Sequence, residues 1–315
     1  MRIFARFIIL LALAPLNALA QSQYPTRPVS MIVAAPPGGP GDSAARVVAR
    51  ALSDLLGQQV VTENRAASQV GAGAVARAAP DGYTLGTIGN QALTVTMAFG
   101  VDVPYKLEDF IPIGIVAFDI TVITSRPDSP WKSIKDVTDY ARQNPHKLSY
   151  GASGIGSMGQ MAMEVVKLAF GAEITFIPYG GTAPTNTALL GGHIDLGSAG
   201  LGATMPFIKS GRLRALAVTS AERMPVLPDV PTVGEVAGRP SPNLWHGVFA
   251  PARTPAAIVD RLTKALEQAM KDPNTTARLE QAGLIADYRN PEATRGLMAA
   301  EIKVMAELAR SVKLK

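Results

Sequence analysis

The chain has 315 residues, no cysteine and a formal net charge of +5. Without cysteine it has neither disulfides nor thiol chemistry, so packing alone must hold the fold. The charge is spread along the chain with no basic run and no basic–aromatic interleaving, so a nucleic-acid partner is not expected.

Residues 1–20 are expected to be a secretory signal. Arg2 and Arg6 make a basic start, residues 7–13 are apolar but too short to span a bilayer, and Ala18-Leu19-Ala20 is a small-x-small cleavage site before Gln21. Removing these 20 of 315 residues leaves 295, and losing the two arginines takes the charge from +5 to +3. That length suits about two domains. The expectation is a soluble, monomeric protein in the periplasm.

In chain order, residues 29–35 form a short, almost wholly apolar run that suits a strand buried on both faces. Residues 36–41, PPGGPG, break the strand, and Asp42 and Ser43 are residue types that cap a helix. Val48, Leu52 and Leu56 then repeat at helical spacing up to Gly57. A strand at 59–62, a small-residue loop at 66–73, a short helix at 74–79 and a strand at 83–88 follow. Apolar β-rich runs at 110–117 and 120–125 are split by Phe118-Asp119. A second unit opens with a capping box at Ser133 and Asp136. It echoes the first: a strand at 148–152, the glycine loop SGIGSMG at 153–159 and a helix at 160–170. More β–α units lead through a proline-rich return at 224–242 to a strand at 245–250, after which only helices are expected. This order predicts an α/β protein whose first domain is built from both chain ends, residues 21–123 with 246–315, and whose second is 124–245.

Glycine loops at helix starts present backbone N–H groups to an anion. Gly154, Gly156 and Gly159 match a dinucleotide fingerprint. An exported protein is not expected to meet nicotinamide cofactors, so a small anion is the better guest and no cofactor is expected. His146, His193 and His246 are scattered, which predicts no metal site, and no G-x-S-x-G is present, which predicts no catalytic residues. Asp42 is most simply an N-cap. Asp119, alone between two apolar runs, is placed to welcome an ammonium group if it faces a cleft. Ser153, Ser157, Thr182, Asn90 and Gln91 are neutral donors at predicted strand ends, where open α/β sheets bind ligands. Phe118 and Tyr179 either wall an apolar part of a ligand or pack.

A longer set of residues resembles a known family. Tyr24-Pro25 with Arg27-Pro28, Ala35 through Gly39 with Asp42, Glu63-Asn64-Arg65, Ala79-Pro80-Asp81-Gly82-Tyr83, Pro178-Tyr179 with Gly181 and Ala183-Pro184, and Leu227-Pro228-Asp229-Val230-Pro231 stand in order along the chain. Together they resemble the periplasmic solute receptors of the tripartite tricarboxylate transporter system, the Bug proteins. The resemblance implies an α/β, two-domain periplasmic-binding-protein (Venus flytrap, type II-like) fold with a ligand cleft between the domains. It also implies a small carboxylate ligand, a membrane permease as partner, and no catalysis. By the family pattern, Pro37, Gly38, Gly39, Pro40, Gly41 and Asp42 with Ser153, Gly154, Gly156 and Ser157 should hold the carboxylate, partly through water. Tyr179, Gly181, Thr182 and Ala183 should lie nearby. The chain departs from the pattern at residues 66–70, AASQV, and at Ser198-Ala199-Gly200. Ser68 and Ala199 are therefore expected near the far end of the ligand. An exported α/β hydrolase and a receptor for signalling rather than uptake are the alternatives.

Overall fold

In this computed structural model, residues 24–311 are described, except Ala66 and Pro240; the expected signal lies outside them. The first segment alternates strand and helix: β1 (Val29–Val33), α1 (Pro40–Leu56), β2 (Val60–Asn64), α2 (Ser68–Ala76) and β3 (Thr84–Gly89). A π-helical turn (Gln91–Val95) and one turn of helix, α3 (Thr96–Ala98), lead on to β4 (Phe110–Asp119). The middle of the chain holds β5 (Thr121–Ser125), α4 (Ile134–Gln143), β6 (Ser149–Ala152), α5 (Met158–Phe170) and β7 (Thr175–Pro178). It continues with α6 (Thr182–Leu190), β8 (Leu196–Gly200), α7 (Leu201–Lys209), β9 (Arg214–Val218) and α8 (Val233–Ala237). The return is β10 (Leu244–Pro251), α9 (Ala256–Lys271), α10 (Pro273–Gln281), β11 (Ile285–Arg289) and α11 (Pro291–Ser311).

These strands form two sheets, ordered β11-β4-β10-β3-β1-β2 and β7-β6-β8-β5-β9. Each is the heart of one lobe. The near-continuous apolar sequence of β1 follows from burial on both faces. Met31 and Val33 pack with Val48 and Leu52 of α1 and Leu266 of α9, while Ile32 joins Val75, Ile88 and Leu93 on the other side. In the second lobe Ile123, Tyr150 and Leu196 pack against Met161 and Val165 of α5. Helix α11 packs on β4 yet sends Met305 and Leu308 into the second lobe's core.

Three sequence expectations need correction. The chain changes sheets at Ile120, since β4 ends at Asp119 and all of β5 pairs with β8 and β9. The expected division at 123/124 therefore falls inside β5, and the division at 245/246 falls inside β10, because apolar sequence marks a strand but not the sheet it joins. A strand, β11, does follow β10: it is a half-exposed edge strand against β4, too short and too mixed in composition to stand out among helices. The expected loop over residues 66–73 is largely the helix α2. Gly71 and Gly73 sit in that helix, and at Gly71 a Cβ would stand 2.7 Å from the Ala34 backbone, so this glycine marks close packing rather than a loop.

Candidate ligand cleft

The register of each sheet decides where a site can form. Parallel pairing sets Val33 beside Thr87, so β1 and β3 finish at one edge, and antiparallel β10 enters there with His246 beside Gly89 and Leu244 beside Asp119. In the other sheet Ala152 lies between Pro178 and Ser198, and Gly200 is paired with Thr121. The carboxyl ends of β1, β3, β4, β6, β7 and β8 therefore all face the Asp119–Thr121 crossover. Open α/β sheets bind ligands at such ends.

The two glycine loops there share one frame. Gly38 and Gly156 both have positive φ, 77° and 76°, and the next residue is the N-cap in each case, Gly39 for α1 and Ser157 for α5. Gly41 and Gly159 come three residues after the first glycine, and the fourth residue locks the loop from within. The Gly38 N–H donates to Asp42 Oδ2 at 2.9 Å, and the Gly156 N–H donates to Gln160 Oε1 at 2.7 Å. Asp42 is thus not the N-cap expected from sequence. Pro40, with no N–H to satisfy, takes the first helical position and moves Asp42 into the first turn. One amide in each loop is accordingly occupied by the protein's own side chain. By helix geometry the first-turn N–H groups of Gly41 and Asp42, and of Met158 and Gly159, still lack intrahelical acceptors.

Asp42 is buried and saturated. Besides the Gly38 amide it accepts from Arg46 Nε at 3.0 Å and, through Oδ1, from Asn64 Nδ2 at 2.8 Å. Burial pushes its carboxyl up, but the bonds from Arg46, Gly38 and Asn64 outweigh this and hold it below the usual carboxylate range. Under the same loop lies His246: a Cβ on Gly41 would stand 3.3 Å from its ring. Burial pushes the His246 imidazole down to about 4, so it is neutral at physiological pH.

In the second lobe Thr182 ties three helix starts together. Its hydroxyl lies 3.4 Å from Ser153 Oγ, before α5, and accepts from the Gly200 N–H at 3.3 Å, before α7. It is itself the first residue of α6, whose N-cap, Gly181, provides no side-chain cap. Among the described residues neither serine touches a base: Ser153 meets the Thr182 hydroxyl, and Ser157 Oγ accepts from the Gln160 N–H. Asp119 stands at the crossover, where a Cβ on Gly200 would lie 3.3 Å from both its Oδ1 and Thr182 Oγ1. Burial pushes the Asp119 carboxyl up to about 6.

A receptor family is what this arrangement matches. Residues 44–314 match the family described as the tripartite tricarboxylate transporter family receptor. The chain belongs to that family. It is 35% identical to Protein BugT of Bordetella pertussis over 96% of this chain and 93% of that one. A TctC solute-binding protein from Polaromonas superposes with a TM-score of 0.83 at 29% identity, covering 92% of this chain and 100% of that one. A protein from R. palustris, solved with adipate, superposes with a TM-score of 0.73 at 32% identity over 91% of this chain and 98% of that one. The α/β two-lobe fold of periplasmic solute-binding proteins is therefore the fold of this receptor.

Other residues singled out in the sequence are spread more widely. In the receptor's first lobe, Pro37 and Gly38 are exposed, Gly39 is half-buried and Pro40 exposed. Ser68 begins α2 and donates to Gln69 Oε1 at 3.2 Å. Gln91 is exposed at the head of the π-helical turn. Gly154, Gly181 and Thr182 are half-buried, and Ala183 is exposed. Tyr179 packs its ring over Gly151, where a Cβ would stand 2.9 Å away. Phe118 packs into the core beside Trp245, and Ala199 is 2% exposed. Asn90 is fully buried: its Nδ2 donates to Glu301 Oε1 at 2.6 Å and to the Asn243 carbonyl at 2.7 Å. Glu301 also accepts from Thr94 at 2.6 Å and Trp245 Nε1 at 3.0 Å, so this cluster clamps α11 to the first lobe. Burial pushes the Glu301 carboxyl up, against these bonds. Sequence reasoning missed Asn64, Gln160, His246 and Glu301. Of these Gln160 had a local signal, its place four residues after Gly156, matching Asp42 after Gly38, and Asn64 stands in the Glu63-Asn64-Arg65 run of the family pattern.

Proposed function

We propose that this family member is a periplasmic receptor that closes its two lobes on a small carboxylated solute and presents it to a membrane permease. The observation that carries the reading is the convergence of glycine loops and helix starts from both lobes on one crossover. N–H groups without intrahelical acceptors at several helix starts give an anion a set of donors with no mobile cation to order. Closure would bend the chain where it passes between sheets, at Ile120 and in the segment entering β10, so that a ligand touching both loops favours the closed form. The adipate seen with the R. palustris relative supports a carboxylate as the guest.

Isothermal titration of ligand-stripped protein against dicarboxylates, amino acids and aromatic acids tests this. Saturable binding of at least one class, with negative heat-capacity change, is the expected result. Silence across the whole panel from folded protein would overturn it.

A further inference from the structure

We propose that the solute carries a protonated nitrogen as well as its carboxylate, and that Asp119 is the residue that selects it. This rests on the receptor reading above and deepens it.

The backbone donors around Asp119 are already spent on other acceptors. Leu201 N–H donates to the Ile120 carbonyl at 2.7 Å, which fixes the start of α7 on the crossover and brings Gly200 against the Asp119 carboxyl. The Thr182 hydroxyl, which accepts from the Gly200 N–H, shares that corner. Yet among the described residues none donates a hydrogen bond to Asp119 and none pairs with it as a cation. Other carboxylates held inside the protein are treated differently. Asp42 accepts from three groups, Glu301 from three, and Asp195 from both the backbone and the hydroxyl of Ser149. Asp119 is half-buried at a ligand-binding edge, beside the Gly200 backbone and the Thr182 hydroxyl, and with no donor from the protein its carboxylate is free to take one from a solute.

The partner's chemistry follows from what stands nearby. No group of three or more His, Cys, Asp or Glu among the described residues is placed to hold a metal ion, and one carboxylate beside hydroxyls is a thin ligand set for calcium or magnesium. An ammonium or protonated ring nitrogen needs less: one carboxylate and one or two hydroxyl oxygens, here Asp119, Thr182 and Ser153. The solute's carboxylate then turns toward the start of α5, on the far side of Ser153. A plain dicarboxylate would instead set a second negative charge against Asp119. Replacement of Gly200 by a residue with a side chain would fill the corner, since its Cβ would touch both Asp119 and Thr182.

The test uses pairs of acids that differ by one nitrogen: succinate and aspartate, butyrate and 4-aminobutyrate, benzoate and 4-(aminomethyl)benzoate. Titrated into the ligand-stripped protein, the amine-bearing member of at least one pair should bind ten-fold tighter or more. Asp119→Asn, nearly the same shape, should erase that preference by weakening the amine-bearing member and binding the amine-free member as tightly as before or tighter; Asp119→Ser serves as a second variant, and thermal melting checks that each is folded. A preference for the amine-free acids in the unaltered protein, or a preference for amines that survives Asp119→Asn, overturns the inference and leaves the receptor reading standing. Silence from every acid in folded protein sinks both.

Discussion

The first and second glycine loops are the same device with opposite electrical settings. Gly38-Gly39-Pro40-Gly41-Asp42 and Gly156-Ser157-Met158-Gly159-Gln160 place a left-handed glycine, an N-cap, a helix start, a second glycine and an internal lock at matching positions. The lock is an acid in one and a neutral amide in the other. Asp42 puts a negative charge in the first turn of α1, where the helix favours it, and so answers much of that helix's attraction for an anion. Gln160 closes its loop without a charge, and the positive end of α5 stays available. The comparison predicts that the lobes divide the work, with the first loop a preformed wall that the ligand touches and the second the main grip on the carboxylate.

The second glycines give the largest contrast. A Cβ on Gly159 would stand 2.1 Å from the Ser198 backbone carbonyl, which cannot retreat without breaking β8 from its neighbours. A Cβ on Gly41 would meet the Ala35 methyl at 3.0 Å and the His246 ring at 3.3 Å, an overlap that a shift of a few tenths of an ångström would relieve. Gly159→Ala should therefore destabilise by about 4 kcal/mol or prevent folding, and Gly41→Ala by about 1–2 kcal/mol, read from denaturant midpoints. Equal losses would mean that the two helix starts are equally tightly seated.

Asp42→Ala comes next, with a loss of about 3 kcal/mol, because the Gly38 amide, Asn64 and Arg46 all lose their acceptor. Its acid behaviour sharpens the point. The folded-state value lies below that of the unfolded chain, so the contribution of Asp42 is present above about pH 4 and fades as pH falls further. The stability difference between wild type and Asp42→Ala should shrink in melts taken below that pH.

Asp119→Asn should act in the other direction. Burial holds Asp119 at about 6 against an ordinary 3.8, so the folded state binds more protons than the unfolded chain between those values, and stability falls as pH rises through that window. No ion pair reaches Asp119 among the described residues, and Thr182, Gly200 and Leu244 are its neutral surroundings. The variant should be more stable than wild type by about 2 kcal/mol at pH 7–8, with the gain gone near pH 4. A loss of stability at neutral pH would show that Asp119 has an internal partner after all.

Much of this was legible before any coordinates. The β–α order, the paired loops and the return of the chain to its first lobe follow from apolar periodicity broken by glycine and proline. What escaped depended on distance. Asn90 looked like a free donor at a strand end because its partner, Glu301, is 211 residues away. β11 escaped because an edge strand needs little apolar sequence. The N-cap of α1 was misplaced by three residues because Asp42 is a good capping residue on its own, and only the fit of Pro40 at the first helical position decides against it.

The smallest effect on stability is expected from the most direct test of the loop comparison, Gln160→Glu, which gives the second loop the first loop's lock. The Gly156 N–H would keep its acceptor, and the first turn of α5 favours a negative charge by about 0.3–1 kcal/mol, which offsets part of the cost of burying it, so the melting curve should fall only slightly. Binding should not follow it. No arginine stands four residues on, as Arg46 does after Asp42, because Glu164 occupies that place and donates nothing to the new charge. The added carboxylate then sits uncompensated beside the amides meant for the solute, and titration should report an affinity at least ten-fold lower, recovered in part by high salt only at exposed positions. If carboxylate affinity were unchanged in a folded Gln160→Glu protein, the second loop would not be the grip, and the division of labour between the lobes would have to be reversed.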